Sequence, residues 1–288
     1  MRQTRGDRAF QLANGVFFLT IGLVTVYPFW YTFVMSIIPF HEFARSTFLL
    51  VPRSIDLSGY RQILRSGHML NAYWITVYTT VIGTGVSLLL TAMAGYALSK
   101  RYLPGRRLLF MLILITMLFQ GGLIPLYVTV SRLRLINSIL IYFFWPMIIT
   151  FYVIIMRTYF AGLPQSLEDS AKMDGCHDLT IFFRLVLPIS LPIFATIALF
   201  YAVLKWNTLT TPLFFIRDPS KYTLQAVLYN IMRSLDETST GVFDQSVMLL
   251  SEQVKAAAIV VTTVPIVMVY PFLQRYFVKG VLVGAIKG

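Results

Sequence analysis

The sequence predicts an all-α membrane protein with six transmembrane helices, both termini in the cytoplasm and one helical loop on the cytoplasmic side. Hydrophobic residues make up 57% of the 288 residues and charged residues only 12%, against roughly 25% charged in a soluble domain. The mean hydropathy is +0.72. Lipid can solvate the apolar outer faces that a single soluble core could not bury. Six segments lack Asp, Glu, Lys and Arg, and each is long enough to cross a core about 30 Å thick: 9–40, 66–99, 108–131, 135–156, 185–204 and 256–274.

The first charge-free segment is interpreted as a span that the mature protein retains. A cleavable signal has an apolar region of only about 7–15 residues. The first segment is longer and continues into the bulky residues Trp30 and Tyr31. The second segment starts with the polar residues His68 and Asn71, so we expect its helix to begin near Ala72.

The middle spans contain the candidate residues for a substrate pathway. Glycines and a proline interrupt the third segment, and they either line a solute route or form a packing kink, because irregular backbone at membrane depth is tolerated in both settings. Aromatic faces and polar side chains suit a weak, transient sugar site, although most such residues in spans only pack. The candidates are Gly121, Gly122, Tyr142, Tyr152, Tyr201, Asn207 and Thr210.

Basic residues predict the orientation. Short cytoplasmic loops of membrane proteins are rich in Lys and Arg, and Trp collects at the interfaces. The short loop 100–107 holds Lys100, Arg101, Arg106 and Arg107, whereas Trp30, Trp74 and Trp206 fall near the opposite ends of their spans. We therefore expect residues 1–288 to form a single transmembrane domain, with 157–188 as a cytoplasmic loop and 205–255 as an extracytoplasmic one.

The cytoplasmic loop has clear helix signals. Pro164, followed by Glu168 and Asp169, predicts a helix start, because acidic side chains favour the positive end of the helix dipole. Asp174-Gly175 predicts its end, because glycine readily adopts the left-handed cap conformation. A second helix is expected from about Ile181, with Pro188 bending the chain as it enters the fifth span. Composition alone leaves open whether this loop is a docking surface or an amphipathic segment on the membrane.

The spacing of this loop resembles the signature of binding-protein-dependent ABC importer permeases. That signature is an acidic-Ala-Ala triplet, a glycine four residues later, and then an aliphatic residue shortly before Leu-Pro. Here the elements are Asp169-Ser170-Ala171, Gly175, Leu185 and Leu187-Pro188. Asp replaces Glu and Ser replaces the first Ala, and Glu168 supplies a neighbouring carboxylate.

The resemblance continues along the chain. Asn207, the segment 270–277 and the closing residues 280–288 are similar to the carbohydrate-uptake subgroup, which includes the G-type subunit of maltose importers. The segments 119–125 and 156–158 look closer to permeases for oligosaccharides in polysaccharide-degrading bacteria.

The resemblance implies a division of labour in a bacterial inner membrane. A second permease subunit, making a heterodimer, would complete the pathway; two ATPase subunits would bind ATP and Mg²⁺; and an extracytoplasmic binding protein would deliver the solute. We expect no catalytic residue, metal or cofactor in this chain, which lacks the G-x-x-x-x-G-K-[ST] phosphate-binding loop. The residues implied in coupling to the ATPase are Glu168, Asp169, Ser170, Ala171, Asp174, Gly175, Leu187 and Pro188.

Competing functions have less support in the sequence. An ion-coupled secondary sugar transporter normally carries carboxylates within its spans, and the six charge-free segments have none. A membrane enzyme would need a nucleophile, an acid pair or a metal site, yet the chain has a single cysteine, Cys176, and three scattered histidines. The net charge of +12 is spread along the chain rather than gathered in the patch that nucleic acid requires.

Three basic residues bear on the substrate. Arg132, Arg134 and Lys205 are expected at the outer mouth of the pathway. Positive charge there would suit an acidic oligosaccharide, although positive charges at span ends are common anyway.

Overall fold

The computed structural model describes residues 5–39, 42, 51–65, 67–119, 121–241 and 252–268, and the regular secondary structure in these residues is all helical, with no β-strand. The predicted all-α class is therefore confirmed for the described part of the chain. The helices are α1 (Arg5–Ile37), α2 (Ser58–Arg65), α3 (His68–Ser99), α4 (Arg106–Leu118), α5 (Leu123–Arg132), α6 (Ile141–Phe144), α7 (Thr150–Ala161), α8 (Gln165–Met173), α9 (Asp178–Ile181), a π-helical turn (Phe182–Val186), α10 (Leu187–Ile189), α11 (Leu191–Trp206), α12 (Thr210–Phe215), a 3₁₀ turn (Pro219–Lys221), α13 (Leu224–Gly241) and α14 (252–268).

Two described helices are long and apolar enough to cross a membrane, namely α1 over Phe10–Ile37 and α3. The number rises to four if each of two sharply bent helix pairs counts as one span. The helix α3 begins at His68, one turn before the predicted start near Ala72. The predicted sixth span is described only as α14, and its end, together with the segments 270–277 and 280–288, lies outside the described residues, as do 242–251 of the loop 205–255.

The third predicted span is broken. The helices α4 and α5 make an angle of 116°. Phe119 is extended at the end of α4, and Gly122 has φ 82° immediately before α5. A positive φ strains most residues but not glycine. Gly122 therefore permits the turn between α4 and α5. The length of the charge-free segment had predicted a single span here and did not reveal this turn.

The entry into the fifth predicted span bends at Ser190 rather than at Pro188. The helical segment Asp178–Ile189 makes an angle of 87° with α11, and Ser190 between them has φ −101° and ψ 10°. Pro188 lies within the short helix α10. The π-helical turn Phe182–Val186 runs directly into α10, so Pro188 lies near the end of a continuous helical segment.

The fourth predicted span is divided into α6 and α7. Trp145-Pro146, between them, is a cis peptide bond. The ammonium of Lys205, at the end of α11, donates hydrogen bonds to the carbonyl oxygens of Tyr142, at 2.7 Å, and Pro146, at 2.9 Å. Lys205 is only 2% exposed. One buried cation therefore satisfies two main-chain acceptors near the break, where buried carbonyls need a partner.

The described chain forms two compact units. In the first, residues 1–69 and 228–264, the end of α1 packs through Val34, Met35 and Ile38 against Ala256 of α14. The hydroxyl of Tyr60 in α2 is 2.6 Å from that of Ser36 in α1. In contrast, α1 is exposed from Phe10 to Trp30, as expected of a helix whose surroundings are lipid.

The second unit, residues 70–227 and 265–288, contains the main hydrophobic cluster. The cluster forms where the segment 181–186 meets the helices α3, α7 and α11. Ten aliphatic and aromatic side chains of the described residues are buried there. A Cβ on Gly95 of α3 would lie 2.9 Å from Cβ of Met156 and 3.1 Å from the backbone nitrogen of Arg157. The two helices can approach this closely because position 95 carries no side chain. Buried members of the cluster are Ala92, Tyr96, Met156, Phe160, Ile181, Phe182, Val186, Phe194, Ile197 and Tyr201.

Candidate functional site

The helix α8 lies in the loop that the sequence singled out, and its ends are where the helix signals placed them. Pro164 precedes it with the extended geometry of φ −59° and ψ 122°. Glu168 lies in the first turn and Lys172 in the last. Both charges complement the helix dipole.

The helix ends in a Schellman motif around Gly175. The N–H of Gly175 donates to the carbonyl of Lys172, and the N–H of Cys176 donates to that of Ala171, both at 3.0 Å. Gly175 has φ +76°, the left-handed conformation that this motif requires and that glycine adopts without strain. No atom lies within 4 Å of a Cβ placed on Gly175. The turn therefore presents open space on one side.

The predicted coupling residues divide between an exposed face and an inner face. Asp169, Ser170, Asp174 and Gly175 are exposed, as is Pro188. Ala171 was expected to share one exposed face with Asp169 and Ser170. It packs instead against the main hydrophobic cluster, on the inner face of the helix. Consecutive residues of a helix point in different directions. Leu187 is half-buried against the same cluster.

Glu168 also points inward and forms an ion pair with Lys100, the residue after α3. The side chains of Lys100 and Glu168 are only 10% and 12% exposed. The Lys100 ammonium also lies 3.8 Å from the centre of the Tyr96 ring. Burial lowers the pKa of Lys100, while the hydrogen bond and charge of Glu168 act in the opposite direction.

A second polar cluster joins the other end of α8 to Tyr102, in the loop that follows α3. The hydroxyl of Tyr102 donates to the carboxylate of Asp178 at 3.0 Å, and Lys172 lies 3.4 Å from that carboxylate. The Lys172 ammonium is also 4.2 Å from the centre of the Tyr102 ring. Interaction with Tyr102, more than the charge of Asp178, raises the pKa of Lys172.

The segment after the Schellman turn enters the core. Ile181 and Phe182 are 1% exposed, and the rings of Phe182 and Tyr96 have centres 5.2 Å apart. The π-helical turn follows from Phe182 to Val186. The surface helix α8 is thereby joined within a few residues to side chains packed between α3 and α7.

The predicted pathway residues are not brought together into one site. Tyr142 and Tyr201 are 1% and 0% exposed. The Tyr142 hydroxyl donates to the Lys221 carbonyl at 2.9 Å, and that of Tyr201 lies 2.6 Å from the Thr91 hydroxyl. Tyr152 packs edge-on against Tyr201. The remaining candidates, Gly121, Gly122, Asn207 and Thr210, are exposed; their role in a pathway stays a prediction, as does that of the tyrosines.

A cavity of about 540 Å³ lies between α3 and α11 in the second unit. Its walls include aromatic side chains at Tyr73 and Trp206 and hydroxyl-bearing side chains at Thr80 and Thr84. None of these four was among the predicted pathway residues. Tyr73, Thr80 and Thr84 lie with Val77 on one face of α3 at a spacing of three or four residues, a pattern present in the sequence, whereas the opposing wall from α11, with Trp206, was not apparent before folding.

Three further residues in or beside α8 were not singled out as candidates from the sequence. Lys100 was interpreted only as a topology signal, and Tyr102 was not considered. Met173, the last residue of α8, is 89% exposed and adds an apolar side chain to the exposed face.

Lys205 was expected to face a solute, but its ammonium is buried and bonded to main-chain carbonyls. Among the described residues, no group of three or more His, Cys, Asp or Glu side chains could hold a metal ion.

Comparison with known proteins identifies the family to which the chain belongs. No family model matches it. It is 38% identical over 294 residues to protein LplC of Bacillus subtilis, covering 100% of this chain and 98% of that one. It is 40% identical over 294 residues to the polygalacturonan/rhamnogalacturonan transport system permease protein YtcP of the same organism, covering 98% and 99%.

A solved structure agrees with these relatives. The chain is similar to one in the crystal structure of a bacterial ABC transporter involved in the import of the acidic polysaccharide alginate. The TM-score is 0.86 and the sequence identity 32%, and the match covers 96% of this chain and 99% of the other. The resemblance found in the loop 157–188 is therefore confirmed. The chain belongs to the family of membrane permease subunits of ABC importers for carbohydrates.

Proposed function

We propose that this permease carries an acidic oligosaccharide across the bacterial inner membrane by alternating access, with energy delivered through α8. The observation that carries the proposal is the division of α8 into two faces. Its outer face, with Asp169, Ser170, Met173 and Gly175, is free to receive a partner, while Glu168 and Ala171 fix its inner face to the core. A docked subunit that moves α8 therefore moves core side chains with it.

The proposed complex has the composition that the family resemblance implies. A second, different permease subunit completes the pathway, two ATPase subunits bind the cytoplasmic loops with ATP and Mg²⁺, and an extracytoplasmic binding protein docks on the segment 205–255. In this arrangement the chain spans the membrane six times with both termini inside, as a single domain of residues 1–288. The residues assigned to ATPase docking are Asp169, Ser170, Asp174 and Gly175, with Glu168, Ala171, Leu187 and Pro188 linking that surface to the core.

An acidic substrate is supported by two of the similar proteins. YtcP is named for polygalacturonan and rhamnogalacturonan, and the structural neighbour takes part in alginate import; all three are polymers of, or containing, uronic acids. Arg132 and Arg134 are exposed beside the end of α5, where they would attract a carboxylate-bearing sugar. The ion-coupled alternative has no support among these relatives.

The substrate is tested with the complete complex in proteoliposomes. We expect oligogalacturonides, presented by the binding protein, to raise the ATPase rate above its basal value. Their methyl esters have the same length and sugar but no carboxylate charge, and we expect little stimulation by them. Equal stimulation by the esters would contradict the acidic class, while the assignment as a permease would stand.

The docking role is tested separately, by co-purification of the ATPase subunits with the permease. Replacing the exposed Asp169 by Lys should weaken that association, since it inverts a charge on the docking face. Replacing Arg107, which is exposed in the first turn of α4, by Glu inverts a charge elsewhere on the same predicted side of the protein and should leave the association unchanged. Equal effects of the two variants would argue against α8 as the docking surface.

A further inference from the structure

The loop that follows α3 touches both ends of α8. At the first turn of α8, Glu168 pairs with Lys100. At the other end, Lys172 in the last turn of α8 lies over the Tyr102 ring, and Asp178, beyond the helix, accepts a hydrogen bond from the Tyr102 hydroxyl. Lys100 and Tyr102 are two residues apart in the chain. The cytoplasmic end of α3 therefore holds α8 at two points through side chains.

The two points of contact differ in strength. The side chains of Lys172 and Asp178 are 39% and 52% exposed, and water and salt weaken ion pairs of that kind. Lys100 and Glu168 are largely withdrawn from solvent. Removing one member of a buried pair leaves the other charge without compensation, which is strongly unfavourable. The Lys100–Glu168 pair is thus the firmer link, and the face of Tyr96 fixes the ammonium further.

The backbone supplies a different connection, from α8 to α11. It runs through the left-handed Gly175, the π-helical turn and the bend at Ser190. Helices α3 and α11 form two walls of the cavity of about 540 Å³, with Val77 and Thr80 on α3 and Ala202 and Trp206 on α11, and Pro265 and Ile266 complete its lining. A displacement of α8 would reach one wall through side chains and the other through the main chain.

We propose that Lys100 is a positioning residue that transmits movement of α8 to α3 through Glu168, so that both walls of the cavity respond to the docked ATPase. This inference rests on the proposed role of α8 as the docking surface. Without the ion pair, movement of α8 would still reach α11 along the backbone, but α3 would no longer follow. ATP would then be hydrolysed with little transport.

The test measures oligosaccharide taken up per ATP hydrolysed by the full complex in proteoliposomes. For Lys100→Met we expect the ATPase subunits to co-purify and the basal ATPase rate to stay at the wild-type value. Uptake per ATP should fall by about tenfold, within the range of measured coupling between distant sites. Arg101→Met, which removes an exposed positive charge at the next residue, is the matched control and should keep the wild-type ratio.

Two more variants separate coupling from folding. Lys100→Arg keeps the charge and should retain most of the uptake per ATP. Lys100→Glu combined with Glu168→Lys restores an ion pair with the two charges exchanged. Its uptake per ATP should be higher than that of either single variant. If Lys100→Met does not assemble, these two variants decide, and failure of the exchanged pair to exceed the single variants would overturn the inference.

The outcomes also distinguish this inference from the proposed function. Wild-type uptake per ATP in Lys100→Met, in a complex whose ATPase subunits are lost when Asp169 becomes Lys, would overturn the role of Lys100 and leave the docking surface intact. Retention of the ATPase subunits by Asp169→Lys would overturn the docking surface itself.

Discussion

Gly175 meets a requirement of the fold and, under the proposed docking role of α8, a functional one. Its φ of +76° closes the Schellman motif, and the space beside its α-carbon is open. A Cβ there would have no atom within 4 Å apart from those of the adjoining residues. The effects of a side chain at this position would come from backbone strain, of roughly 1–2 kcal/mol for most residues, and from whatever binds α8.

We therefore predict different results for two substitutions of Gly175. Gly175→Asn should retain most transport, because asparagine tolerates the left-handed conformation. Gly175→Glu should abolish it while the protein still inserts, because a charged, longer side chain would project into the docking surface. Uptake, membrane insertion and co-purification of the ATPase subunits are the measurements. Normal uptake by Gly175→Glu would contradict the assignment.

Lys205 provides the second residue-scale prediction. Replacing it by Met keeps much of the side-chain volume but removes the donors to the Tyr142 and Pro146 carbonyls. An unsatisfied buried acceptor costs about 1–3 kcal/mol, so thermal unfolding of the purified permease should occur at a lower temperature. Arg217→Gln, at an exposed position, is the control and should unfold as the wild type does. If both variants unfold at the wild-type temperature, these bonds do not stabilise the fold.

At the scale of elements, the contact between α3 and α7 depends on Gly95. A methyl group there would press on Met156 and on the backbone at Arg157. Backbone cannot move aside cheaply, and overpacking costs about 1–3 kcal/mol. We predict that Gly95→Ala lowers the unfolding temperature in detergent, whereas Gly85→Ala, on the same helix with no atom within 4 Å of the added Cβ, does not. Equal unfolding temperatures would show that the two helices can separate slightly without cost.

The sequence predicted which segments are apolar and where α8 begins and ends, because both depend on local chemistry. Charge-free length and the Pro164, Glu168 and Gly175 signals required no knowledge of the rest of the chain. It predicted a bend on entry to the fifth span but placed it at Pro188, two residues before Ser190, and it did not predict the π-helical turn. The position of the bend and the π-helical turn depend on how Phe182 and Val186 pack between distant helices.

The same distinction explains what was missed at the candidate site. The pairing of Lys100 with Glu168 joins residues 68 positions apart, and a lysine after an apolar helix is also what membrane topology alone would produce. Tyr142 and Tyr201 were chosen by residue type, but burial and hydrogen bonds, which sequence does not reveal, place them inside the protein. Asn207 and Thr210 were chosen on the same grounds and are exposed.

For the whole molecule, the predicted orientation can be tested with a residue that the chain already provides. Cys176 is its single cysteine, next to the Gly175 turn and partly exposed. A membrane-impermeant maleimide should label it in inverted vesicles and not in right-side-out vesicles if α8 faces the cytoplasm. The control moves the thiol to the other predicted side, as Cys176→Ser with Ser54→Cys, and should reverse the pattern. Labelling of Cys176 from outside would refute the orientation.

The right-angled bend at Ser190 has a mechanical consequence for the permease. Because the segment before it lies at 87° to α11, sliding that segment along its own axis pushes the base of α11 sideways. With 16 residues, α11 is a lever arm of about 24 Å at 1.5 Å per residue. If its far end stays fixed, a sideways shift of about 1 Å at the base tilts it by roughly 2–3°, by the same helix rise. If α8 docks an ATPase subunit as proposed, small strokes of this segment would thereby be converted into rotation of α11.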